Sequence, residues 1–164
     1  MANGYEKMVY SYHMNKKLLL ALTKVVTLCI IIFLVSSYFI YSPKLIGWIV
    51  LLLGGLCVGA LRVFGVSIKN TWPDIAFGMI DNGILAIFAV TGGEIAGIAG
   101  AIIGGVVGNA ITDGIAGIFE GEMAERLRER KISEERTMLG SAIGKMAGCL
   151  LGAGVILVFA SVIY

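Results

Sequence analysis

The sequence predicts an all-α fold, a polytopic transmembrane helical bundle of about five spans, and three observations predict it. Hydrophobic residues make up 58% of the 164-residue chain and charged residues 15%, against roughly 45–50% and about 25% in soluble domains; the mean hydropathy is +0.91. The apolar residues gather into runs near the roughly 20 residues a helix needs to cross the hydrocarbon core. The basic residues fall almost entirely at alternate ends of those runs. This balance excludes a water-soluble globular enzyme and a disordered tail. With a formal net charge of +2 and no basic stripe interleaved with aromatics, nucleic acid is excluded as a partner too. The partner that composition implies is the lipid bilayer.

Residues 1–24 carry Tyr5, Tyr10, Tyr12, His13 and lysines ahead of the first apolar run, with no small-residue cleavage site after it. They read as a cytoplasmic arm leading into an uncleaved signal anchor. The first span is expected at about 25–41 and the second at about 45–64, separated by Ser42-Pro43-Lys44. A third, about 74–91, comes after Pro73, a residue suited to the first turn of a helix. The turn Gly92-Gly93-Glu94 leads to a fourth at about 95–119, and a fifth lies at about 138–163. Residues 25–164 form a single transmembrane domain. Between the last two spans, 120–136 reads EGEMAERLRERKISEER, a charged cytoplasmic helix stabilised by i, i+4 pairs such as Glu122/Arg126. Cys29, Cys57 and Cys149 lie in separate apolar runs without metal-ligand spacing and read as small buried hydrophobes.

Lysine and arginine near span ends are retained on the cytoplasmic side. With the N-terminus inside, Lys7, Lys16, Lys17, Lys24, Arg62, Lys69, Arg126, Arg128, Arg130, Lys131 and Arg136 all fall there, and Lys44 outside. That asymmetry calls for an odd number of passes and suits the plasma or inner membrane.

Charge within the spans is the most informative functional signal, because an Asp at a helix centre costs about 2.5–3.5 kcal/mol on insertion scales. Asp81 is expected about 10 Å deep, counted from Asp74, and Asp113 about 9 Å deep, counted from Phe119, at 1.5 Å per residue. Spans three and four should be antiparallel neighbours, so the two carboxylates would be level. Helical spacing extends them into columns, Asp74 with Asp81 and Asn109 with Asp113 and Glu120, giving an acidic track open to the cytoplasm. Asp81, Asp113, Glu122 and Glu125 are the candidate metal ligands, and Glu120, Glu122, Glu125 and Glu129 could load cations at the mouth. Oxygen ligands suit hard or borderline divalent cations, and level carboxylates can instead share and release a proton. Lys145, at nearly the same depth in span five, is a competing charge that could turn the pair into a structural ion pair.

Two four-residue ladders, Gly100, Gly104, Gly108 and Gly140, Gly144, Gly148, Gly152, are helix association faces. They serve either packing within the chain or a homo-oligomer seam. Ile80-Asp81-Asn82-Gly83-Ile84 also recurs 31 residues later as Ile111-Thr112-Asp113-Gly114-Ile115. The two copies would cross the membrane in opposite senses, as inverted repeats around a midplane site do.

The stretch Asp74-Ile75-Ala76-Phe77-Gly78-Met79-Ile80-Asp81-Asn82-Gly83-Ile84, with Phe88-Ala89-Val90 and Gly92, resembles the first transmembrane helix of the vacuolar iron transporter (VIT/CCC1-like) family. Gly108 to Gly114, running into the charged helix, resembles that family's second helix and its cytoplasmic extension. The resemblance covers about 74–130. It implies a dimer exchanging divalent iron or manganese for protons, with Asp81 in the place of the family's intramembrane Asp, Asp113 in the place of its Met, and glutamates of the extension binding metal. The family's intramembrane Glu in the second helix is replaced here by Gly, and its proline after the Asp-Gly pair is missing.

The leading expectation is a divalent-cation or proton-coupled transporter in which Asp81 and Asp113 are ligands or proton carriers and Asn109 a neutral oxygen ligand. The rival is a non-catalytic accessory or scaffold subunit of a larger membrane complex, packed through the glycine ladders. No Ser/His/Asp set, HExxH or phosphate loop points to an enzyme.

Overall fold

The computed structural model describes the backbone of residues 4–129 and 137–163 and the side chains of 14–118, 122 and 137–163. Among the described residues every regular element is helical: α1 (Gly4–Phe39), α2 (Pro43–Val63), α3 (Ile68–Glu129) and α4 (Met138–Ile163). All four contain stretches long and apolar enough to cross a membrane, so the protein is an integral membrane protein by length and composition.

Local chemistry explains most of the boundaries. Pro43 opens α2 at a first-turn position, where its missing N–H has no helical partner to lose. Arg62 stands in the last turn of α2, favourable to the negative end of the helix dipole. Gly65, at φ 71°, then turns the chain toward α3. At the start of α4 the Thr137 hydroxyl accepts the Gly140 N–H at 3.0 Å and caps the first turn. α1 runs without interruption through most of the expected arm at 1–24; the side chain of His13 lies outside the described residues.

The third and fourth expected spans are joined. In place of separate helices at 74–91 and 95–119, α3 begins at Ile68, with Pro73 in its second turn. It departs from helical geometry at Ala96 (φ −139°, ψ 23°) and Gly97 (φ 60°, ψ −140°). The reversal is therefore three residues beyond the expected Gly92-Gly93-Glu94 turn. Gly97 takes a backbone conformation that side chains resist, whereas Gly92 is needed for packing: a Cβ there would strike the Gly100 carbonyl. Its apolar stretch, Ile68–Ile118, has 51 residues and if straight would extend about 77 Å, more than twice a hydrocarbon core of roughly 30 Å. Bent at Ala96–Gly97, it gives two arms, 68–95 and 98–129. Gly92 lies against Gly100, Gly104 against Phe88 and Gly108 against Leu85, so the arms are antiparallel. The second arm continues through the charged segment as far as Glu129.

α4 is the centre of the bundle. Its ladder Gly144, Gly148 and Gly152 meets Thr71, Ile75 and Met79 of α3 in the same order along both chains, so α4 and the first arm are parallel. On its other side Gly154 packs on Leu51, while Gly47 and Gly54 of α2 pack on Val158 and Leu151, an antiparallel pairing. Both glycine ladders are thus occupied by packing within the chain. The tightest apolar cluster joins Leu28 of α1, Cys57 and Leu61 of α2, Ile75 of α3 and Ile143 and Ala147 of α4. Lys24 of α1 reaches over the Phe64 ring, 4.4 Å from its centroid, and ties α1 to the end of α2.

A charged chamber between the α3 arms and α4

The antiparallel register that places Gly92 beside Gly100 also places Asp81 beside Thr112. The Thr112 hydroxyl donates to Asp81 Oδ1, and also lies 3.1 Å from the carbonyls of Gly108 and Asn109. Asn82 completes the setting, donating to Asp81 Oδ2 at 3.3 Å and to Cys149 Sγ of α4 at 2.7 Å. Asp81 is thus an acceptor for neutral donors from both arms, which lowers the cost of a carboxylate at this depth. It stands thirteen residues along α3 from Ile68, where the helix begins, rather than seven from a start at Asp74.

Asp113 follows Thr112 and is held by Asn109, whose amide donates to its Oδ2 at 2.7 Å across one turn. Asp81, Asp113 and Lys145 line one cavity of about 300 Å³ with Phe77, Gly78, Ala116, Gly117 and Cys149. The two aspartates expected at matching depth thus share one space, and Lys145 is with them. Glycine makes the chamber possible, since a Cβ at Gly78 would lie 2.6 Å from the Lys145 carbonyl oxygen. A smaller pocket of about 90 Å³, lined by Ile80, Ile84 and Ile115, adjoins Asp81 and Thr112 on another side.

Asp74 departs from the expected continuous track. It is only 1% exposed, accepts from the Ser141 hydroxyl at 3.0 Å, and lines a separate cavity of about 250 Å³ with Ser67, Asn70, Thr71 and Thr137. The acidic column is therefore two chambers. Glu122 is exposed and lines neither. The side chains of Glu120, Glu125 and Glu129 lie outside the described residues. Among the described residues no three of His, Cys, Asp and Glu converge in a group able to hold a metal.

Three contributors escaped the sequence reading: Thr112, Asn82 and Ser141. Each is neutral, so the search for intramembrane charge passed over it. The internal echo did align Thr112 with Asp81, the pair that meets across the hairpin. No family model, curated protein or solved structure matches the chain.

Proposed function

We propose that the protein is a transporter that moves a small cation, or protons coupled to one, through the chamber bounded by Asp81, Asp113 and Lys145. The observation that carries this reading is the shared cavity: two carboxylates and an ammonium line one space between α4 and the two arms of α3, with Asp81 half-buried and Asp113 and Lys145 exposed. Ionisable groups at such depth mark ion and proton pathways. Asn109 and Thr112 orient the carboxylates, and the cavity beside Asp74 is the approach from the basic end.

In this reading the chain crosses the bilayer five times, each α3 arm counting once, with the N-terminus in the cytoplasm. The alternating helix directions support it, because they put Lys16, Lys17, Lys24, Arg62 and Lys69 at one end and Lys44 at the other. With Lys44→Cys and Lys69→Cys, a membrane-impermeant maleimide should label the first from outside intact cells and the second after lysis.

The transport reading is tested with purified protein in liposomes. Cation- or pH-driven flux should fall to the protein-free background in Asp81→Asn and in Asp113→Asn. Absence of flux in the wild type, with co-purification of a stable larger complex, would favour the accessory-subunit reading instead. In that reading a partner would bind through other surfaces, since the two glycine ladders pack against this chain's own helices.

A further inference from the structure

The face that α1 turns to α4 changes character along its length. Leu28 is buried there in one apolar cluster with Ile143 and Ala147. Toward the N-terminus the same stripe continues as Lys24, Ala21, Leu20 and Lys17, a set at i, i+3, i+4 and i+7 that shares one side of a helix. Instead of closing on α4, these four residues line a cleft of about 180 Å³ with Thr137, Met138 and Leu139. The cleft lies at the end of the bundle where α2 stops at Val63, α3 starts at Ile68 and α4 starts at Met138. Trp72, one turn into α3 and 59% exposed, belongs to the residue type that gathers at the membrane–water boundary. The cleft is therefore level with lipid headgroups.

Its walls combine two chemistries. Leu20, Ala21, Met138 and Leu139 are apolar, and Lys17 and Lys24 bring two ammonium groups. The Lys24 ammonium lies over the Phe64 ring, which offers no oxygen to its three donors. Among the described residues no carboxylate pairs with either lysine. Eight of the eleven acidic residues, from Asp74 to Glu129, belong to α3, and among the described residues α1 touches α2 and α4 but not α3. Of the other three, Glu6 precedes Lys17 by eleven residues of helix, about 16 Å. Glu134 and Glu135 stand in a segment that also carries Arg130, Lys131 and Arg136, so its composition does not cancel the two lysines.

We propose that the cleft between α1 and α4 binds an anionic phospholipid, with Lys17 and Lys24 on its phosphate and its acyl chains leaving along the apolar walls into the bilayer. Basic pockets between membrane helices hold anionic headgroups in this way. A zwitterionic lipid brings an ammonium of its own, which two lysines repel, and a free phosphate has nothing to set against the four apolar residues. The inference needs only that α1 and α4 cross the bilayer, and is independent of what the acidic chamber does.

The test uses the full chain purified in detergent and titrated with phosphatidylglycerol or with phosphatidylcholine of the same acyl chains, bound lipid being counted by native mass spectrometry. Phosphatidylglycerol should be retained about tenfold more strongly, at about one molecule per chain. Lys17→Gln with Lys24→Gln should abolish that preference. Lys16→Gln with Lys69→Gln, which removes the same charge from the same end outside the cleft, should leave it intact. Ala21→Phe fills the cleft while keeping both lysines and should also abolish it; this variant decides the matter if the double lysine variant does not elute as a monodisperse species. Equal retention of the two lipids by wild type would overturn the inference. So would an equal loss in both double variants, which would assign the preference to charge spread over that end. Displacement of phosphatidylglycerol by an equal concentration of inorganic phosphate would overturn the lipid in favour of a free anion. Flux enters none of these outcomes, so the transport reading stands or falls separately.

Discussion

Helices α1 and α4 are both apolar enough to cross a membrane, yet they occupy opposite places in the molecule. Among the described residues of α1 only Leu28 is buried, while Leu19, Phe33, Leu34 and Tyr38 are exposed. α4 buries Gly140, Ile143, Gly144, Ala147, Gly148, Gly152 and Gly154. Beyond Gly4, α1 has no glycine. In lipid an apolar side chain gains little by leaving hydrocarbon tails for another helix, whereas a missing side chain lets two backbones meet. In this protein small residues, more than hydropathy, mark the inside.

The contrast can be broken most directly at the α4 seam. Gly148→Leu would drive a side chain into the Ile75 carbonyl, a backbone contact with no flexible end to yield. It should cost about 3 kcal/mol or more, seen as loss of the monodisperse folded species or as a large fall in the SDS unfolding midpoint. Near-wild-type stability would show that the seam is not what holds the bundle. An intermediate effect is expected at the hairpin: Thr112→Val removes the hydroxyl donor to Asp81 and should cost about 1 kcal/mol in the same titration, with Thr112→Ser close to wild type. The smallest effect belongs to α1. Phe33 is 70% exposed, and Phe33→Ala should stay within about 0.5 kcal/mol of wild type; a larger loss would mean that α1 is held by more than Leu28 and Lys24.

The sequence made the helical class legible and placed α2 and α4 within about two residues of their ends, because hydropathy, Pro43 and the charge of the flanking segments all agree there. It was less informative where one residue type serves two purposes. Gly92 and Gly93 suggest a turn, but Gly92 is consumed by contact with Gly100, so the reversal falls to Gly97, the next glycine able to take a positive φ. The polar residues of 4–24 suggest an arm, yet lysine, tyrosine and leucine all continue a helix readily, and α1 extends through them. At the site, the helical spacing of Asp81 from Asp74 and of Asp113 from Asn109 could be counted along the chain. Whether Lys145 reached them could not, because that depends on the rotation of α4 about its axis, set by contacts such as Gly148 with Ile75.

The reversal at Ala96–Gly97 also makes the two arms of α3 a unit that supplies its own acid with donors. Thr112 from one arm and Asn82 from the other both reach Asp81, so these two partners of the carboxylate come with the hairpin itself, whatever α4 adds.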